Sequence, residues 1–204
     1  MERQHIIVKI NEDIYGLILT GGQSRRMGMD KASLEHEGVS QLSETYKLLN
    51  KHLSEVFISV RKDQIKDATR SNYQQIIDIY DNLGPLAGIL SAMKRFPTIQ
   101  WLIVACDLVN LDSRTLSYLI ENFSTEHCFI AYKSEHDGLP EPLCAIYSSK
   151  SIKIIENNIS KNIRCPRKIL LNSDTLLLSQ PNPRALDNFN SPNDLINSKY
   201  KVKA

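Results

Sequence analysis

No C-x-x-C pair occurs in this chain, and its four cysteines, Cys106, Cys128, Cys144 and Cys165, stand far apart. That spacing excludes a zinc ribbon or a dithiol redox motif and predicts buried, reduced thiols in a cytosolic protein. The five histidines also lack metal-ligand spacing. No apolar run approaches the roughly 18 residues of a membrane span, so no membrane partner is expected. The opening MERQHIIVKINEDIYG carries no apolar signal core, which predicts a cytoplasmic location. An excess of one charge is missing too: 25 Lys and Arg face 23 Asp and Glu, a net +2, so no nucleic-acid partner is expected. Neither repeat, low-complexity tract nor linker interrupts the 204 residues, of which 42% are hydrophobic and 24% charged. One domain over 1–204 is expected, with 1–13 as an N-terminal extension and 197–204 as a flexible tail.

What is present alternates. IYGLILT (14–20) reads as a strand covered on both faces. Leu42, Tyr46, Leu49 and Leu53 recur at helical spacing behind Ser40, a plausible N-cap. VFISV (56–60) and QIIDI (75–79) read as strands. GPLAGILSAMKRF (84–96) reads as a helix with Gly84 as its turn and Pro85 at its first position. WLIVAC (101–106) is a buried strand ended by Asp107, and a helix begins near Asp112 or Ser113. CFIAY and LCAIYS are strands around the turn-rich KSEHDGLPEP. A helix near 149–159, a strand at 174–178 and a last helix at 191–196, capped by Ser191, complete the pattern. Strand–helix alternation predicts an α/β fold with a mostly parallel sheet.

The segment ILTGGQSRRMGMDKASL (18–34) ends a buried strand on paired glycines and then gathers Arg25, Arg26 and Lys31. Gly21 and Gly22 lack a Cβ and let the backbone approach a ligand closely. Arg and Lys supply charge-assisted hydrogen bonds to phosphate oxygens. The familiar phosphate and nucleophile motifs fail: no G-K-[ST] follows, G-x-G-x-x-G is absent, and Arg26 occupies the last position of G-x-S-x-G. Taken alone, GGQSRR reads as a polar turn as readily as an anion site. Ser24 has no His nearby in sequence to activate it, which favours a loop-ordering role.

Asp107 tips the balance. Ligands of open parallel sheets gather at the carboxyl ends of strands where the strand order reverses. In a 3-2-1-4 arrangement the strand ending at Thr20 neighbours the one ending at Cys106, and Asp107 faces the same crevice as the glycines. A carboxylate there suits Mg²⁺ shared with a triphosphate. The competing reading, a cap for the helix near Asp112, places Asp107 five residues too early.

LTGGQSRRMGMDKASL resembles the signature L-[AT]-G-G-x-S-x-R-M-G-x-D-K of molybdenum cofactor guanylyltransferases, in the nucleotidyltransferase superfamily. GPLAGILSAM, VACDLVNL, EPLCAIY and NFNSPNDL are similar to further blocks of that family, in the same order, from about residue 16 to 196. The resemblance implies a three-layer α/β/α Rossmann-like domain that uses GTP and Mg²⁺. The terminal phosphate of molybdenum-molybdopterin would attack the α-phosphorus and release pyrophosphate. Leu19, Thr20, Gly21 and Gly22 would line the nucleotide, Lys31 would meet its phosphates with Arg25 as a second cation, and Asp107 would bind the metal. Asp78 aligns with a family nucleotide contact, and Ser59 stands where some relatives have an Asn that touches the nucleotide. The turn at Gly84 would present backbone groups to the base. The stretch 138–147 resembles the region that faces the pterin, and molybdoenzymes or their chaperones would receive the product. Two rivals remain: a sister transferase using CTP or a sugar phosphate, and a nucleotide-binding module without catalysis.

Overall fold

A computed structural model describes residues 13–20, 35–36 and 39–187. The chain runs β1 (Ile14–Leu19), β2 (Glu35–His36), β3 (Val39–Ser40), α1 (Gln41–Leu49), β4 (Val56–Val60), β5 (Gln75–Ile77) and α2 (Pro85–Arg95). It continues through β6 (Gln100–Ala105), α3 (Ser113–Glu121), β7 (Phe129–Lys133), β8 (Pro140–Tyr147), α4 (Ser151–Ser160), α5 (Pro166–Leu171) and β9 (Thr175–Leu178). Seven strands form one sheet in the order β5-β4-β1-β6-β8-β7-β9, while β2 and β3 make a separate short antiparallel pair. The half β5-β4-β1-β6 is wholly parallel, and β8 alone runs against its neighbours β6 and β7. The mostly parallel α/β sheet expected from the alternation is therefore present, in the 3-2-1-4 order over its first four long strands.

Side-chain alternation along the strands builds a core on each face. Ile14 and Ile18 of β1, with Leu102 and Val104 of β6, pack against Leu42 and Leu49 of α1 and Leu116 and Leu119 of α3. Leu17, Trp101 and Ile103 point the other way, onto Leu86, Ile89, Leu90 and Met93 of α2 and onto Ile155 and Ile169 of α4 and α5. Three layers result because central strands hidden on both faces read as continuous apolar runs. Each fully buried Leu or Ile contributes about 1.5–3 kcal/mol relative to exposure. Tyr15, Phe57, Phe96 and Trp101 close the α2 face with ring centroids 5.4–6.1 Å apart.

The local signals hold at most boundaries. Ser40 caps α1, its hydroxyl accepting from the Ser43 amide at 3.2 Å. Asp112 caps α3, its carboxylate accepting from the Thr115 amide at 2.7 Å, which removes that role from Asp107. Several expectations need correction. The third strand stops at Ile77 rather than 79, because Asp78 turns away after its amide reaches the Val60 carbonyl at 2.8 Å. β8 starts at Pro140, inside the stretch read as turn, since its ladder to β7 resumes beyond a bulge between Ala131 and Tyr132. The six-residue α5 and the β2–β3 pair are too short to carry a periodic signal. Not every thiol is buried: Cys106 and Cys144 are, Cys128 is half-buried, and Cys165 lies exposed beside α5. The helix expected at 191–196, the extension before residue 13 and the tail at 197–204 lie outside the described residues.

Candidate functional site

Parallel pairing puts the carboxyl ends of β1, β4, β5 and β6 on one edge of the sheet. Leu19 registers with Ser59 on one side and Ala105 on the other, and Val60 registers with Ile77. The Cys106 amide donates to the Leu19 carbonyl at 3.3 Å, the last rung of that ladder. Thr20, Asp78 and Asp107 all follow from this edge, so three residues remote in sequence lie at the same end of the sheet.

Each is held in a different way. Thr20 is 3% exposed, and its hydroxyl donates to the Ser59 carbonyl at 2.6 Å. The Ser59 side chain, also buried, donates to the Asp78 carboxylate at 2.6 Å. Burial pushes the Asp78 carboxyl above its ordinary range, while the Ser59 hydroxyl and the Arg61 charge pull it back. Asp107 is half-buried in the turn after β6, anchored by its buried neighbours Cys106, Leu108 and Val109.

Two glycines of α2 and its approach shape the other wall. Gly84, the N-cap, has φ 56° and ψ −135°. A Cβ there would meet no atom of the described residues within 4 Å, so the backbone conformation itself calls for glycine. Gly88 is required by contact instead. A Cβ on it would fall 2.2 Å from Ser59 Oγ, 2.8 Å from Ser59 Cβ and 3.1 Å from Leu19 Cδ2. The last residue of G-P-L-A-G thus lets α2 lie directly on the two strand ends.

Arg70 is the residue that sequence reasoning missed. It stands in the irregular segment between β4 and β5 yet is only 1% exposed. Its Nη2 donates to the Thr20 carbonyl at 3.1 Å, its Nε to the Thr20 hydroxyl at 3.3 Å, and its Nη1 to Asp67 at 3.0 Å. An isolated arginine in a polar stretch carries no periodicity or motif that could have announced it.

A small cavity of about 100 Å³ lies beyond Leu108, against Glu141–Cys144, Arg167 and Leu186. Arg167 spans two carboxylates there, Asp137 at 3.0 Å and Glu141 at 2.9 Å. The lining residues Glu141–Cys144 belong to the stretch 138–147 expected to face the pterin.

The structure thus brings together Leu19, Thr20, Ser59, Asp78 and Asp107, with Gly84 opening the adjacent helix. Gly21, Gly22, Ser24, Arg25 and Lys31 lie outside the described residues. Among the described residues no group of three or more His, Cys, Asp and Glu could hold a metal unaided. Mg²⁺ is usually bound through one or two carboxylates together with substrate phosphates. Asp107, a hard-oxygen donor at this end of the sheet, fits an ion shared with a phosphate substrate rather than an all-protein cage. Among the same residues, no helix is long and apolar enough to cross a membrane.

Comparison with known proteins gives these positions a context. The profile of the MobA-like NTP transferase domain matches residues 16–175. A molybdenum cofactor biosynthesis bifunctional protein of Synechocystis sp. is 35% identical over 181 residues, which cover 89% of this chain and 52% of that protein. The chain therefore spans about half the length of that relative. A probable molybdenum cofactor guanylyltransferase of Pelotomaculum thermopropionicum is 28% identical, covering 92% of this chain and 93% of its own. In fold, the chain resembles the crystal structure of molybdopterin-guanine dinucleotide biosynthesis protein A from Archaeoglobus fulgidus, with a TM-score of 0.71, 22% identity, and 89% and 95% of the two chains covered.

Proposed function

This chain belongs to the MobA-like NTP transferase family, and from that premise we propose that it transfers GMP from GTP to the terminal phosphate of molybdenum-molybdopterin. The match over residues 16–175 carries the reading, and curated relatives named as molybdenum cofactor guanylyltransferases support it.

In the proposed reaction a terminal phosphate oxygen forms a bond to the α-phosphorus of GTP. The bond from that phosphorus to the β-phosphate oxygen breaks, and pyrophosphate leaves with the electron pair. The attacking phosphate is already ionised near neutral pH, so no side chain need act as a general base. The obstacle is the meeting of two anions, which calls for positioning and charge compensation. Lys31 places a compact positive charge at the phosphates, where negative charge builds on the departing group. Arg25 adds a second cation. Leu19, Thr20, Gly21 and Gly22 line the nucleotide, and Gly84 opens the helix beside the base. The Ser59–Asp78 pair buttresses the same wall. A divalent cation, in this reading Mg²⁺ held by Asp107, supplies further charge neutralisation on the phosphates when bound.

The test is GTP-dependent pyrophosphate release by the purified protein, with and without molybdopterin, repeated with ATP, CTP and UTP. GTP is expected to be the preferred nucleotide, and release to depend on the pterin. Asp107→Ala should lower turnover about a thousandfold, equivalent to about 4 kcal/mol in the barrier, while leaving the fold intact. Preferential turnover of CTP would overturn the guanylyl assignment. GTP binding without any pyrophosphate release would favour a non-catalytic module.

A further inference from the structure

A fully buried arginine needs a reason, because removing its charge from water costs several kcal/mol unless it is paired and hydrogen-bonded. Arg70 pairs with Asp67, whose side chain is 37% exposed against 1% for the arginine. Two of its other donors converge on a single residue, Thr20. Stability alone would be served as well by an apolar side chain of similar volume.

The place of that convergence is informative. The Leu19 carbonyl is satisfied by the Cys106 amide, the final rung between β1 and β6. The Thr20 carbonyl lies one residue past the ladder, and the Arg70 fork takes it. The Thr20 hydroxyl passes its own proton to the Ser59 carbonyl and receives the Arg70 Nε–H. Thr20 is thereby locked at both side chain and backbone.

We infer that Arg70 is a positioning residue for the nucleotide site: its buried guanidinium sets the backbone carbonyl and the hydroxyl of Thr20 at the carboxyl end of β1. The inference rests on the reading of Thr20 as part of the GTP site. A lysine cannot replace Arg70, since one ammonium on a flexible stem cannot serve the Thr20 carbonyl, the Thr20 hydroxyl and Asp67 in one fixed plane.

The experiment compares wild type, Arg70→Lys and Asp67→Asn by kcat and KM for GTP, by the thermal shift that GTP induces, and by urea unfolding. Arg70→Lys should raise the GTP KM about tenfold or more, change kcat less, and shrink the GTP-induced shift, as loss of preorganised binding does. Asp67→Asn leaves both Thr20 contacts in place and should raise KM only about two- to threefold. Added methylguanidinium should restore part of the GTP affinity of Arg70→Ala. Wild type that binds GTP while Arg70→Lys binds it equally well overturns the inference alone, as does lost stability with an unchanged KM. Should Arg70→Lys not fold, an Asp67→Asn variant with wild-type KM overturns it. Wild type that binds no GTP overturns the GTP-site reading and this inference with it.

Discussion

Replacing Gly88 by alanine tests the geometry of the site wall directly. In an open helix this change stabilises by about 1 kcal/mol, because glycine is a poor helix former. Here the new methyl would stand 2.2 Å from Ser59 Oγ and 2.8 Å from Ser59 Cβ, well inside the roughly 3.5–4.0 Å of an ordinary carbon contact. Rotating the hydroxyl aside relieves only the first clash, and it breaks the 2.6 Å bond to Asp78. The Cβ–Cβ contact still forces α2 away from β4. Overpacking of this kind costs about 1–3 kcal/mol, and a lost hydrogen bond to a charged acceptor about 1.5–3 more. Set against the propensity gain, Gly88→Ala should destabilise by roughly 2–4 kcal/mol. For a chain of this size the melting temperature should fall by about 4–16 °C. The assay is urea and thermal unfolding of the full cycle, Gly88→Ala, Ser59→Gly and the double variant. In the Ser59→Gly background both short contacts to Ser59 vanish and the nearest remaining atom is the flexible end of Leu19 at 3.1 Å, so Gly88→Ala should become neutral or stabilising. A Gly88→Ala variant as stable as wild type, or one equally destabilised in both backgrounds, would refute this account of the wall.

Two further predictions concern charge. Lys31→Ala should weaken GTP binding modestly and slow transfer more, since the cation counts most as charge reaches the leaving pyrophosphate; a Lys–phosphate bond contributes about 1.5–3 kcal/mol, and Lys31→Arg should rescue in part. Steady-state kinetics decide it, and unchanged kcat and KM in Lys31→Ala would sink the phosphate contact. His52 bridges α1 and α3, its ring nitrogens 2.7 Å from Ser113 Oγ and 3.4 Å from Ser117 Oγ. Burial, reinforced by the Lys51 charge, holds its pKa below the ordinary 6.5. The unfolded chain therefore takes up the proton first, so the contribution is complete above about pH 6.5 and declines as pH falls below it. Urea midpoints measured from pH 7.5 to 5 should drop less for His52→Asn than for wild type, and parallel slopes would contradict this assignment.

The amino-acid sequence by itself determined the α/β class and most element positions. Period-2 and period-3.6 patterns are local, as are Ser40 before α1 and Pro85 at the start of α2, so they survive without tertiary information. The placement of Thr20 and Asp107 past the ends of neighbouring strands was legible as well, because a parallel sheet with helical crossovers has few plausible strand orders. Other features depended on where distant segments meet. The start of β8 at Pro140 comes from its ladder to β7 and not from its own residues. The glycine at position 88 reads in sequence as an ordinary helix residue, and only the approach of Ser59 and Leu19 makes it necessary. Arg70 belongs to a polar stretch whose composition predicts a solvated side chain, and Thr20, 50 residues away, draws its guanidinium inside. Burial is a property of the assembled neighbours, and a charged group goes inside only where they supply the hydrogen bonds that water would have given.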